Sequence, residues 1–311
     1  MESTTITHQP EDKDEDKDYT MHPFVKWVGG KSKYIQHILP YLPNTFDRYY
    51  EPFIGGGALF FHLQPNKAYI SDVNIELINC YQTIRSDVYG LMKELDKYKE
   101  TNREEQYYVF RSEYNKLKKE HQYSYDDVVS QEGASEGASE GTGEEGKGIC
   151  VRKAGLFIFL NKTSFRGIYR ENKSGEMNVP YGNYKSPTLY ESSNLLNIHK
   201  YLSSNDIMIQ VHSYDKIRPT TNDFVYFDPP YDQEKSSDFV SYTKDKFRQE
   251  DLYKFITELN CGFVLSNSPT TYIKNLYKDY GQKELSGKRN VDVKKVKTVK
   301  NIEIIIYKED S

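Results

Sequence analysis

Residues 223–231 read Asp-Phe-Val-Tyr-Phe-Asp-Pro-Pro-Tyr, and this stretch decides the fold. Phe224 to Phe227 is an apolar run rich in β-favouring side chains and predicts a strand. It ends on Asp228, Pro229, Pro230 and Tyr231. Two consecutive prolines fix φ and remove two backbone donors, which leaves a rigid corner with free carbonyls. In a parallel sheet, ligands bind beyond the carboxyl ends of the strands, so the corner projects into the expected site. There Asp228 and a proline carbonyl can accept hydrogen bonds from an amino group while Tyr231 stacks on a ring. That chemistry suits a planar, amine-bearing substrate. A plain strand terminator with a buried tyrosine, or an exposed proline-rich ligand, would carry the same PPY; the apolar strand directly before it argues against the ligand.

Outward from this corner the chain alternates. YYEPFIGG (49–56) begins as a short aromatic strand, and AYISDVN (68–74) reads as a strand ending at an acid. Residues 207–213 and 262–267 are two further predicted strands. Residues 74–95 place Ile75, Leu77, Ile78, Tyr81, Ile84, Val88 and Leu91 at helical spacing. Helices are also predicted at 104–120, 153–163 and 249–260. This alternation predicts an α/β fold with a mostly parallel, doubly wound sheet. Residues 161–190 break the rhythm, being polar and rich in Tyr, Asn, Gly and Lys, and read as loop.

Two glycine-rich turns invite a nucleotide reading. Glu51-Pro52-Phe53-Ile54-Gly55-Gly56-Gly57 runs a strand into three glycines, which lets a ligand approach the backbone, with helix N-terminal amides to follow at Ala58 to Phe60. The dinucleotide fingerprint fails there, because its third glycine position is Phe60. Tight packing alone would also explain the turn. Asp72, at the end of the next predicted strand, sits where an acid accepts hydrogen bonds from ribose hydroxyls, or else caps the following helix. Gly29-Gly30-Lys31-Ser32 looks like a phosphate-binding loop, but the glycine required five positions before Gly30 is Val25. What remains is Lys26-Trp27-Val28-Gly29-Gly30-Lys31, which holds the only tryptophan of the chain.

Charge at first speaks against a nucleic-acid partner, since 42 Lys+Arg against 46 Asp+Glu give −4 over 311 residues. Two low-complexity stretches hold the excess acid. Residues 1–21 carry −5 and 126–147 carry −6, so the remainder carries +7. The tail, with EDKDEDKD at 11–18, is expected to be disordered, and QEGASEGASEGTGEEGKG (131–148) to be a flexible loop. No run approaches the roughly 20 apolar residues of a membrane span. The N-terminus lacks the pattern of a secretory signal. Cys80, Cys150 and Cys261 form no C-x-x-C pair, which fits a reducing, intracellular compartment.

KWVGGK (26–31), EPFIGGG (51–57), SDVN (71–74), NKTSFRGIYRENKSGEMNVPYGNYKSP (161–187) and DPPY (228–231), in this order, resemble the Dam-type adenine-specific DNA methyltransferases. The likeness runs from about Phe24 to Tyr307 and omits the tail and the 131–148 loop. It implies a Rossmann-like catalytic domain at 22–100 and 205–311, with an inserted, mainly helical and loop target-recognition region at 101–204. It further implies S-adenosylmethionine as methyl donor, held by Trp27, Lys31, Phe53, Gly55, Gly57, Asp72 and Asp228. Asp228, Pro229 and Tyr231 would hold a flipped adenine, and Lys26, Phe165, Arg166, Arg170 and Tyr184 fall where relatives meet double-stranded DNA. The chain has Arg166 where GATC-reading members carry Asn, and Asn183 where they carry an Arg; its FRG-x-YRE run looks more like members that read CATG. A cognate restriction endonuclease is a possible partner of such an enzyme.

The residues support recognition independently. Lys162, Arg166, Arg170, Lys173 and Lys185 interleave with Phe165, Tyr169, Tyr181 and Tyr184. Cations neutralise phosphates, Arg binds guanine edges, and aromatic rings fill the gap left by an extruded base. Lys288, Arg289, Lys294, Lys295, Lys297 and Lys300 read equally as phosphate contacts or as a charged hairpin face before NIEIIIY. The seven histidines form no ligand cluster, so no metal is expected, and no cysteine sits beside a base. Two rivals remain: the same fold acting on RNA adenine or a protein amide, and a catalytically silent DNA-binding protein. Duplex binding that depends on 161–187 separates the first, and donor affinity the second.

Overall fold

A computed structural model describes residues 4–5, 20–99, 104–121, 144–232, 247–286 and 303–308. Among the described residues the main sheet has seven strands: β1 (Tyr49–Glu51), β2 (Lys67–Asp72), β3 (Asp206–Val211), β4 (Phe224–Phe227), β5 (Gly262–Asn267), β6 (Gly281–Leu285) and β7 (Glu303–Tyr307). They make one mixed sheet in the order β3-β2-β1-β4-β5-β7-β6. The first five are parallel, and β7 runs antiparallel between β5 and β6. From β1 the chain moves outward through β2 and β3, then returns to lay β4 on the other side of β1. The crevice beyond the carboxyl ends of β1 and β4 is therefore the topological switch point, where such sheets bind ligands.

Alternation along the strands divides the core. Phe224 and Tyr226 face one cluster with Tyr49, Ile70 and Ile209, while Val225 and Phe227 face another with Phe263, Leu265, Ile304 and Ile306. A strand covered on both faces reads as a continuous apolar run, as β4 does.

The helices are α1 (Ile35–Ile38), α2 (Ala58–Leu63), α3 (Ile75–Asp96), α4 (Glu104–Glu120), α5 (Glu144–Thr163), α6 (Ser192–Ser204), α7 (Gln249–Thr257) and α8 (Thr271–Leu276). Leu252 and Ile256 of α7 and Ile273 of α8 cover one face of the sheet. Buried residues of α3, α4, α5 and α6 share the cluster on the other face, so among the described residues α4 and α5 pack into the core of the sheet. Lys153 of α5 and Glu76 of α3 form an ion pair of 2.9 Å inside this packing.

The sequence reading needs correction at several points. Thr4–Thr5 pairs antiparallel with Thr45–Phe46, and Met21 is buried in the core, so neither belongs to an unstructured tail. The rest of the acidic tail lies outside the described residues, as do 131–143 of the Gly/Glu/Ser loop. Residues 144–148 of that loop instead begin α5. Helices α1, α6 and α8 and strand β6 lie outside the sequence expectation; β6 is a short sheet edge of mixed charge whose pairing comes from β7. The 288–300 cations lie outside the described residues. Among the described residues no helix is long and apolar enough to cross a membrane.

Candidate active site

The Glu51–Gly57 turn leaves β1 and enters α2. Gly55 and Gly57 adopt φ of 45° and 70°. A Cβ at Gly55 would lie 2.5 Å from the Trp27 indole, and one at Gly57 would lie 2.6 Å from the Tyr81 hydroxyl. Glycine is required at both positions by conformation and by space. Tyr81 donates its hydroxyl to the Gly55 carbonyl at 3.0 Å, tying the turn to α3.

Asp72, at the end of β2, does not cap α3. Asn74 does, accepting from the Glu76 and Leu77 N–H groups. Asp72 instead accepts from the Gly55 N–H at 3.2 Å and the Asn74 N–H at 2.9 Å, joining the ends of β1 and β2. Burial pushes its carboxyl up to about 6, against those backbone hydrogen bonds. Phe53 stacks on Tyr214 at 5.6 Å and meets Phe247 edge-on at 5.7 Å, making an aromatic group beside the turn.

Beyond β4, Asp228 is paired with Lys31, whose Nζ lies 2.7 Å from Oδ1. Lys31 is only 4% exposed, and the same Nζ sits 4.8 Å from the centroid of the Tyr231 ring. Burial raises the Asp228 carboxyl, and Lys31 opposes the rise. Glu51 is also buried, accepting from the Tyr49 hydroxyl at 2.7 Å; burial lifts it to about 8, with Tyr49 opposing. The corner is tied from behind. Gln249 Nε2 donates to the Pro230 carbonyl at 2.8 Å, and Asn267 Nδ2 donates to Gln249 Oε1 at 3.0 Å. Asn267 Oδ1 accepts from the Asp232 N–H at 3.0 Å, and Thr270 donates to the Asp232 carboxylate at 2.7 Å.

The turn, the acid at β2 and the proline corner therefore meet in one crevice. Over residues 27–291 the chain matches the D12 class N6 adenine-specific DNA methyltransferases. The chain belongs to that family. Among its relatives, the type II methyltransferase M1.LlaDCHI of Lactococcus lactis subsp. cremoris is 33% identical over 92% of this chain and 95% of that protein. The type II methyltransferase M.MjaIII of Methanocaldococcus jannaschii is 35% identical over 88% and 93%. The DNA adenine methylase of Escherichia coli K12 is 27% identical over 82% and 83%. The fold, with strand order and switch point as described, is the Rossmann-like one of an adenine-specific DNA methyltransferase.

In this methyltransferase Trp27 packs against Phe157 of α5 and Tyr169. Its ring lies 6.3 Å from that of Tyr169 at 17°, with Phe157 beside both. Residues 164–182 form a hairpin-like arm with antiparallel bridges at Ser164–Tyr181 and Glu171–Met177. Lys26 lies 4.2 Å from the Tyr184 ring centroid and donates to the Lys162 carbonyl at 3.3 Å. Phe165 is 46% exposed, and Arg166 is exposed at a φ of 59° with its guanidinium over the Phe165 ring. These four side chains cluster at the base of the arm. Arg170 lies farther out and donates Nε to Asn178 at 2.8 Å.

Sequence reasoning missed Glu303, Gln249, Asn267, Tyr214, Phe247 and Asn161. Two of them carried a signal. Glu303 is a lone acid in an apolar strand, where a buried charge needs a partner. Asn267 ends a strand on a polar residue, as Asp72 and Asp228 follow theirs. Gln249 and Phe247 gave none, since only the return of α7 brings them to the corner.

Proposed function

We propose that this methyltransferase uses S-adenosylmethionine to methylate the 6-amino group of an adenine extruded from a short duplex site. The donor supplies an electrophilic methyl group on a sulfonium. What supports the reading is that the Gly55–Gly57 turn leaves the carboxyl end of β1 at the switch point and Asp72 lies beside it. Asp72 accepts hydrogen bonds from the ribose hydroxyls, Phe53 packs on the donor's adenine, and Trp27, Lys31, Gly55 and Gly57 line the remainder.

Asp228 and the Pro229 carbonyl accept hydrogen bonds from the target amine, and Tyr231 stacks on its ring. The amine is a poor nucleophile because its lone pair is delocalised into the ring. Two acceptors draw it towards a tetrahedral geometry and aim the pair at the methyl carbon, so alignment and electrostatics supply most of the acceleration. The C–N bond forms as the C–S bond breaks, and the amine's proton leaves afterwards. Asp228 needs no strong basicity for this role.

The recognition region lies within 101–204, and its Lys26-facing arm meets DNA. Lys26, Arg166 and Arg170 contact phosphate or guanine, while Phe165 and Tyr184 occupy the space of the extruded base. A cognate restriction endonuclease is a further expected partner, and an intracellular setting follows from the substrate. The Lys31–Asp228 pair at the switch point is the observation that carries the reading. Labelled donor with duplex DNA should give N6-methyladenine, and Asp228→Ala should abolish it; label on cytosine or on the protein would sink the assignment. Challenge of methylated plasmid with methyl-sensitive nucleases reads the site, with protection of CATG or of GATC as the two outcomes to separate.

A further inference from the structure

Glu303 opens β7, and its neighbour Ile304 pairs with Asn267 at the carboxyl end of β5. The antiparallel insertion of β7 therefore brings an acid from the far end of the chain to the edge of the crevice. Its carboxylate is 4% exposed and accepts from the Tyr231 hydroxyl at 2.5 Å. Lys31 Nζ lies 3.7 Å from the same Oε1, while holding Asp228 at 2.7 Å. One ammonium thus stands between two carboxylates, and the tyrosine ring beside it is fixed at its far end. Burial raises the Glu303 carboxyl, with Lys31 and Tyr231 opposing.

A charge placed in a strand otherwise made of isoleucines and a tyrosine costs stability unless it is satisfied, and here both partners belong to the target-base side of the crevice. The aromatic wall needs such a tether. A tyrosine ring following two prolines can still turn about its side-chain torsions, and an acceptor at its hydroxyl removes that freedom before the substrate arrives.

We propose that Glu303 is a positioning residue: it anchors the Tyr231 hydroxyl and steadies Lys31, so that the stacking ring and the Asp228 acceptor are preset for the target adenine. This rests on the reading that Tyr231 and Asp228 hold that base. The experiment compares Glu303→Leu, Glu303→Gln, Tyr231→Phe and the Tyr231→Phe/Glu303→Leu pair. It uses the full chain, with adenine-containing duplex DNA for turnover and a separate duplex carrying 2-aminopurine, which has no 6-amino group to methylate, at the target position, whose fluorescence reports extrusion and stacking. Glu303→Leu and Tyr231→Phe should each lower kcat by roughly tenfold and alter the bound fluorescence, the size expected for one lost charge-assisted hydrogen bond. The KM for the donor should stay within about twofold, and the double variant should fall no more than about twofold below the weaker single, since both singles break the shared Tyr231–Glu303 hydrogen bond. Glu303→Gln, which keeps an acceptor, should recover most of kcat. Additive losses, or wild-type kcat and fluorescence in Tyr231→Phe, overturn the proposal. Tyr231→Phe keeps the ring and removes only a hydroxyl, so the test survives if Glu303→Leu fails to fold. Full turnover in Tyr231→Ala would instead overturn the site reading itself, whereas loss in Tyr231→Ala with normal Tyr231→Phe and Glu303→Leu defeats only the tether.

Discussion

Asn161 holds the backbone of Lys26 at both of its polar groups, accepting from the N–H at 2.8 Å and donating to the carbonyl at 2.8 Å. The same amide reaches the Gly167 carbonyl at 3.2 Å, so one buried side chain joins the Lys26–Lys31 segment to the end of α5 and the 164–182 arm. Trp27 and Tyr169 stack across the same joint.

Asn161→Leu keeps the volume and leaves these groups unpaired. Each buried orphan costs about 1–3 kcal/mol, so the variant should lose several degrees of Tm. Because the segment carries Trp27 and Lys31, donor affinity should fall with DNA affinity. Thermal melts and donor titration check this; a wild-type Tm together with wild-type donor affinity would count against the joint.

Donor binding should weaken in acid. The Asp72 carboxyl is lifted to about 6 by burial, so below that pH it takes up a proton and loses the charge proposed to accept ribose hydroxyls. The donor Kd should rise about tenfold per pH unit below that point. Asp72→Asn should flatten the profile and weaken binding by roughly 10–100-fold, the worth of hydrogen bonds to a charged group. A donor Kd independent of pH between 5 and 7 in the parent would remove Asp72 from this role.

Glu51 should make the donor-free protein less stable as pH rises. Burial lifts its carboxyl from 4.5 to about 8. Below 4.5 it is protonated in both folded and unfolded chains; between 4.5 and 8 only the unfolded chain ionises, so the stability it contributes is lost across that window. Glu51→Gln removes the effect. The Tm of the variant relative to the parent should climb from pH 5 to pH 8, and a constant difference would contradict the assignment.

Deletion of residues 2–20, which also removes the short Thr4–Thr5 pairing with Thr45–Phe46, should leave methylation intact and tighten DNA binding at low salt, because it removes an acidic segment that competes with phosphate. The two proteins should converge as salt rises. Filter binding across a salt series reads this, and loss of activity on deletion would show that the segment does more than repel.

Local chemistry made much of the crevice legible. Pro229 and Pro230 force a corner wherever they stand, Gly55 and Gly57 mark backbone that no side chain tolerates, and the apolar run of β4 announces a strand covered on both faces. The tail boundary and the start of α5 were not legible, since Met21 and residues 144–148 take their structure from contacts or from helix propagation. Sequence alone determined the alternating α/β order, the five motifs and the basic remainder behind a net charge of −4. Tertiary structure decided which polar groups share a partner. Lys31 stands between Asp228 and Glu303, which are far apart in the chain, because β7 inserts antiparallel beside β5 and the sheet brings their ends to one edge. Spacing along a chain encodes which face a residue occupies; only strand order in space encodes which charges meet.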